Sequence, residues 1–307
     1  MRLLLTGGCG FIGANLVARL SDCPNIEVRI FDNESVGKQR DLPRFRGEFI
    51  RGDMRDQTAV LAAVEGMDVV VHLAADTRVM NSIADPAFNF AVNVEGGFHL
   101  LEAMRAHGVK RLVSASTGGA ITGRALPPVH EEMAATPLSP YGAAKLMMEG
   151  YCSAYAASYG WRALSLRFSN VYGPRSFHNE GVVAVFFKEI LRGAPLVVYG
   201  DGEQTRDFVF VEDICEGILR GVTDDVGGVV QLGSGKPMTV NKLITVIKAV
   251  VAPRIVEVEY RPNRPGEVTQ TWCEITKAKT ELGFNPLTSL TAGLKRTWAW
   301  FLAQTPN

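Results

Sequence analysis

The chain has 307 residues, 47% of them hydrophobic and 21% charged, enough apolar material for a sizeable core in roughly two domains. Lys plus Arg is 32 and Asp plus Glu is 32, so no net field is available to hold nucleic acid or an anionic membrane. The five scattered cysteines lack the close spacing of a zinc site or a disulfide framework, and no apolar run approaches the ~18 residues of a membrane span. Met1-Arg2-Leu3-Leu4-Leu5 is too short for a signal peptide, so a cytoplasmic protein with reduced thiols and no metal is expected.

In chain order, Arg2–Leu5 reads as a strand and Phe11–Leu20 as a helix. Strands follow at Glu27–Phe31, Glu48–Ile50, Asp68–His72, Arg111–Ala115 and Ala163–Phe168, with helices near Gln57–Ala63, Pro86–His107 and Ser139–Tyr159 between them. Alternation of short apolar runs with helical patterns marks a parallel sheet with helices on both faces. Val69-Val70-Val71, apolar at successive positions, fits a strand covered on both sides. The expected fold is α/β: a doubly wound parallel sheet of the Rossmann kind. After Phe168 the pattern loosens into turns at Gly173-Pro174, Gly193-Ala194-Pro195 and Gly200-Asp201-Gly202. Residues 1–168 plus 207–236, including a strand at Val229–Leu232, are assigned to the sheet domain. Residues 169–206 plus 237–307 are assigned to a smaller α/β lobe.

The first strand turns through Gly7-x-x-Gly10-x-x-Gly13 into a helix. Glycine permits the tight turn, and the turn brings backbone amides and the positive helix end against a pyrophosphate. Phe11 and Ile12 lie within this loop. Asp32 stands about twenty residues further on, at a strand end, where a carboxylate accepts hydrogen bonds from a ribose diol. It would repel a 2′-phosphate, so NAD is favoured over NADP, with Lys38 and Arg40 nearby leaving the exclusion incomplete. Asn33 beside it belongs to the same region; Asp53 and Met54 are placed to hold the adenine, and Leu73, Ala74 and Ala75 supply small residues beside the dinucleotide.

Tyr141-Gly-Ala-Ala-Lys145 puts a phenol and an ammonium four residues apart, on one face of a helix. A free tyrosine titrates near ~10, and a neighbouring cation is expected to pull it toward working pH, where it serves as a general base. With the glycine loop and with Ser116-Thr117 after a later strand, the pair points to hydride chemistry on a bound dinucleotide.

These features resemble the extended short-chain dehydrogenase/reductase family, and within it the NAD-dependent nucleotide-sugar epimerases. The resemblance covers nearly the whole chain. It rests on Thr6-Gly-Gly-Cys-Gly-Phe-Ile-Gly13, Gly52-Asp53, His72-Leu-Ala-Ala75, Asn93-Val94, Ser114-Ala-Ser-Thr-Gly-Gly119, Tyr141-x-x-x-Lys145, Arg167-Phe-Ser-Asn-Val-Tyr-Gly-Pro-Arg175, Gly200-Asp-Gly-Glu-Gln-Thr-Arg-Asp-Phe208 and Arg264-Pro-Gly-Glu267. It implies that Tyr141 takes the proton of the sugar 4-hydroxyl, that Lys145 holds the nicotinamide ribose, and that Thr117, or Ser116 next to it, binds the 4-oxygen. It adds Asn93 and Ser114 to the cofactor site. For a UDP-hexose substrate it implies that Asn170 contacts the phosphates, Arg206 and Arg264 clamp the pyrophosphate, and Glu267 accepts from the nucleotide ribose. Val182, Val183 and Tyr199 would line the nucleotide pocket, and Thr271 would border the sugar C2 substituent. A homodimer through the helices at Pro86–His107 and Ser139–Tyr159 is expected.

Two departures stand out. Thr122-Gly123 replaces the usual Tyr-Gly, and Gly118-Gly119 follow Thr117 where dehydratases carry an Asp-Glu pair. The competing readings are a UDP-glucuronate 4-epimerase or decarboxylase, with Arg78 and Arg175 as carboxylate partners, and a regulatory NAD-binding protein without catalysis.

Overall fold

The computed structural model describes residues 1–42, 44–263 and 269–304. The chain runs through β1 (Arg2–Thr6), α1 (Phe11–Leu20), β2 (Glu27–Asp32), β3 (Glu48–Arg51), α2 (Gln57–Val64), β4 (Val69–His72), α3 (Val79–Ala84), α4 (Pro86–Phe90) and α5 (Gly96–Ala106). It continues through β5 (Arg111–Thr117), α6 (Gly118–Thr122), α7 (Pro140–Tyr159), β6 (Arg162–Phe168), β7 (Asn170–Tyr172), α8 (Val182–Arg192), β8 (Leu196–Tyr199) and β9 (Thr205–Phe210). The last elements are α9 (Val211–Thr223), β10 (Gly228–Leu232), β11 (Pro237–Thr239), α10 (Val240–Val251), β12 (Val258–Arg261), α11 (Thr276–Glu281) and α12 (Leu290–Gln304).

Seven strands, all parallel, form one sheet in the order β10-β6-β5-β4-β1-β2-β3. From β1 the chain winds outward to β2 and β3, then returns to β4 on the other side. That reversal opens a crevice beyond the carboxyl ends of β1 and β4. Side chains alternate across the sheet. Leu3 and Leu5 pack with Leu16, Val17, Ile214 and Ile218 of α1 and α9, whereas Leu4 packs with Val60, Leu100, Leu101 and Met104 of α2 and α5. The doubly wound sheet is thus as expected. A third core, including Phe186, Phe187, Phe208, Ile247, Trp298 and Phe301, lies under two small sheets, β11-β9-β7 and β12-β8.

The helix expected over Pro86–His107 is broken. α4 passes into a π-helical turn over Ala91–Glu95, and α5 starts at Gly96. The break coincides with the Asn93 amide, which binds the backbone of a neighbouring loop while its own helix is locally widened and underwound, as π turns at functional sites are. Gly96 follows because a Cβ there would lie 2.7 Å from the Met54 Cβ. α3 and α6 are short helices that the sequence pattern did not indicate. α7 is bounded as its sequence dictates: the Ser139 hydroxyl accepts from the Gly142 amide at 3.2 Å, Pro140 takes the first turn, and Gly160 ends the helix at φ 65°.

Candidate active site

The crevice between β1 and β4 is lined by close backbone contacts. Gly7 has φ +73°, and a Cβ on it would meet the Ala74 amide nitrogen at 2.6 Å. A Cβ on Gly13 would sit 2.3 Å from the Gly7 carbonyl oxygen, while Gly10 has more room at 3.3 Å. The Ala14 amide makes the first bond within α1, to Gly10, so the amides of Phe11, Ile12 and Gly13 precede the helical ladder at its positive end. This cradle fits a dinucleotide pyrophosphate. Asp32, 9% exposed at the end of β2, accepts from the Cys9 amide at 2.9 Å and the Glu34 amide at 2.7 Å. Burial raises its carboxyl, against the pull of those two amides. The Cys9 thiol is pushed up to about 12 by burial and by Asp32, which makes it inert.

Around this centre the other expected cofactor residues form a connected shell. Asn33 donates to Asp53 at 3.0 Å, and Arg55 holds the Asp53 carboxyl far below the usual carboxylate range. Met54 is buried below α5. Leu73 and Ala74 donate to the Thr6 carbonyl and hydroxyl, at 3.1 and 3.3 Å. Thr6 Oγ1 also bonds His72 Nδ1 at 2.8 Å, and burial keeps His72 neutral, its value pushed down to about 3. Asn93 grips the backbone of Asp76 in both directions at 2.8 Å, which fixes the loop that carries Ala75. Ser114 is buried within β5, in register with His72.

Tyr141 and Lys145 occupy the first two turns of α7. The Tyr141 amide donates to Ser82 of α3 at 3.2 Å, and Lys145 Nζ donates to the Ala115 carbonyl of β5 at 2.9 Å. Thr117 closes β5 in register with Phe168. The expectation of a lowered tyrosine is reversed. Burial, and then the Asp76 carboxylate, push the phenol up to about 12, while burial pulls the Lys145 ammonium down to about 8. The lysine is directed to a carbonyl, and a desolvated site disfavours both charged forms. Ser116 differs from Thr117 in that its hydroxyl is committed to Glu149 at 2.5 Å, away from the crevice.

Because Lys145 binds protons less tightly folded than at its ordinary value of 10.5, the unfolded chain holds more protons between about pH 8 and that value. The penalty from this group is full below about pH 8 and disappears as pH rises above 10.5. Denaturant unfolding of wild type and Lys145→Met at pH 8 and 10 should therefore show wild type gaining stability relative to the variant. A constant difference would contradict the assignment.

The residues expected to hold the substrate fall on and around the small sheets and near the end of β5. Asn170 and Val182 border one recess at the start of β7 and α8, and Val183 is buried in the core behind it. The Tyr199 carbonyl accepts from Gln204 at 2.8 Å at the end of β8. Arg206, on β9, donates to the Thr205 carbonyl at 2.9 Å, and the same carbonyl accepts the Thr271 amide at 3.2 Å. Thr271 Oγ1 lies 3.4 Å from where a Gly119 Cβ would stand, so the structure brings Thr271 to the loop after Thr117. Arg264 and Glu267 lie outside the described residues. Thr122 is buried, its hydroxyl turned back to the Gly118 carbonyl at 3.0 Å. Sequence reasoning did not single out Asp76, Glu149 or Asp207. Glu149 was accessible, since it lies four residues beyond Lys145 on the same helical face. Asp76 and Asp207 act through contacts distant in sequence, for which no local signal exists.

A doubly wound sheet with a glycine-lined crevice at its switch point and a Tyr-x-x-x-Lys helix against it defines a dinucleotide-dependent class. Residues 3–233 match the NAD dependent epimerase/dehydratase family, and the chain belongs to that family. It is 37% identical over 314 residues to the UDP-glucose 4-epimerase of Mycolicibacterium smegmatis, with 98% of both chains covered. Among solved structures it is similar to a UDP-glucose 4-epimerase with UDP-glucose from Thermotoga maritima, at TM-score 0.93 and 36% identity over 99% of each chain. It is also similar to a UDP-N-acetylglucosamine 4-epimerase from Methanobrevibacter ruminantium in complex with UDP-N-acetylmuramic acid, at TM-score 0.93 and 32% identity over 99% of each chain.

Proposed function

We propose that this protein is an NAD-dependent epimerase acting at C4 of a UDP-hexose. The observation that carries the reading is the placement of Tyr141 and Lys145, on one face of α7, against the end of β5 beside the glycine-lined crevice. Bound NAD would supply reversible hydride exchange at the sugar C4, and inversion there requires the 4-keto sugar to turn over within the site. Gly7, Gly10 and Gly13 would admit the pyrophosphate of NAD, and Asp32 would accept from its adenine ribose. Tyr141 Oη takes the proton of the 4-hydroxyl and returns it. A phenol at about 12 needs positive charge close by to ionise, and Lys145, four residues along the same face of α7, is a cation within that turn of the helix. The Thr117 hydroxyl orients the 4-oxygen. Asn170 and Arg206, with Arg264 and Glu267, hold the nucleotide. Incubation with UDP-glucose and separation of the products tests this; no UDP-galactose, with NAD bound, would defeat it.

Thr271 sets the size of the sugar. Thr271 lies beside Gly119, and a threonine is smaller than a tyrosine at the position expected to border the sugar C2. UDP-N-acetylglucosamine is therefore expected to turn over at a rate comparable with UDP-glucose, and Thr271→Tyr to suppress the larger substrate selectively. Steady-state rates on both sugars decide, since an equal loss would mean that Thr271 supports the fold.

The uronic-acid reading gains no support from its two arginines. Arg78 pairs with Glu180 at 3.3 Å, and Arg175 turns toward Asn15 of α1. Dehydration lacks its acid, because Gly118 abuts Gln231 and neither glycine carries one. Met80, Ile83, Phe90, Phe98 and Tyr151 expose apolar surface on α3, α4, α5 and α7, which supports a homodimer through these helices. Five unpaired thiols fit the reducing cytoplasm. Among the described residues no helix is long and apolar enough to cross a membrane.

A further inference from the structure

The face of α7 that carries Tyr141 and Lys145 continues one turn further to Glu149, so the three side chains lie along one line of the helix. Glu149 is 6% exposed and Arg167 only 4%. The carboxylate accepts from Arg167 Nε at 2.9 Å and Nη2 at 2.7 Å, and from the Ser116 hydroxyl at 2.5 Å. A buried pair of this kind adds little net stability, because desolvation roughly offsets its attraction. Its location points to a different use.

Ser116 stands on β5 between Ala115, whose carbonyl accepts Lys145 Nζ, and Thr117. Arg167 stands opposite Ser116 in the β5–β6 register, three residues before Asn170. One carboxylate therefore ties the catalytic helix to the two strand ends that present Thr117 and Asn170. We propose that Glu149 is a positioning residue for the reaction: through Ser116 and Arg167 it fixes the ends of β5 and β6, from which Thr117 and the turn to Asn170 are presented. This rests on the reading of Tyr141, Lys145 and Thr117 as the catalytic set. Tyr141 and Glu149 face Lys145 from its own helix and His72 from β4; β5 offers the Ala115 carbonyl, and Arg167 on β6 is paired with Glu149. His72 is neutral, so Glu149 is the charge that opposes the effect of burial on the ammonium.

Glu149→Gln strands a buried guanidinium and risks the fold, so the test pairs it with the double variant Glu149→Gln/Arg167→Met, which removes both charges. Ser116→Ala removes only the hydroxyl bridge. In the NAD-loaded protein labelled with 13Cε-lysine, the Lys145 resonance, assigned by its absence from Lys145→Met, should titrate about one pH unit lower in the folded double variant and unchanged in Ser116→Ala. In both, kcat should fall about tenfold or more with KM within about twofold, as misplacement of a reacting group requires. A folded double variant with wild-type kcat and a wild-type Lys145 midpoint would overturn the proposal. The titration is read without substrate, so failure of wild type to epimerise any UDP-hexose would defeat the functional reading and not this one.

Discussion

Replacement of Tyr141 by phenylalanine is expected to lower kcat by at least ~10²-fold, the lower end for a general acid–base group. The fold should survive, because the contact that docks this residue on α3 is made by its backbone amide to Ser82 and not by the phenol. UDP affinity should be unchanged, since Arg206 and Asn170 lie on β9 and β7, outside α7. Stopped-time product analysis with calorimetric titration of UDP checks both halves. Turnover within tenfold of wild type would move the proton transfer to another group.

Gly13→Ala should have an effect of comparable size on cofactor binding. The new Cβ would lie 2.3 Å from the Gly7 oxygen and within 2.8 Å of two Gly8 backbone atoms, and backbone cannot swing aside as a flexible side chain does. The loop must open, and with it the seat of the pyrophosphate. Wild type should purify with NAD bound, because a carrier regenerated in each cycle has no need to leave; the variant should purify without it. Adding NAD at about 100 times the wild-type Kd should raise the stability of apo wild type by roughly 2.7 kcal/mol and that of the variant by little. An equal rise in both would place the dinucleotide elsewhere.

The glycine loop, Asp32 and the Tyr-x-x-x-Lys face were legible because each is a local pattern: a turn requires its glycines, and a helix aligns residues four apart. The parallel sheet was legible for a similar reason, since Val69-Val70-Val71 and Leu3-Leu4-Leu5 can be apolar at every position only when both faces are covered. The π turn at Ala91–Glu95 was not, because it accompanies a tertiary bond from Asn93 to Asp76 in the loop after β4. The direction of the tyrosine shift was misjudged on the same ground. Lys145 is near Tyr141 along the helix, but its hydrogen bond goes to Ala115 and the nearby charge is Asp76, neither of which periodicity reveals. Ser116 and Thr117, adjacent in sequence, diverge because successive residues of a strand face opposite ways.

β9 has a consequence for how the molecule comes apart. Val209 belongs to the core beneath the main sheet, while Phe208 and Phe210 belong to the core under the two small sheets. Its Asp207 carboxylate also gathers the amides of Ser234, Gly235 and Cys273. A strand that serves both cores cannot act as a hinge between them, and melting either core strips apolar contacts from the other. Heat or denaturant should then produce one cooperative transition for the whole chain, with the amides of β9 among the last to exchange with solvent.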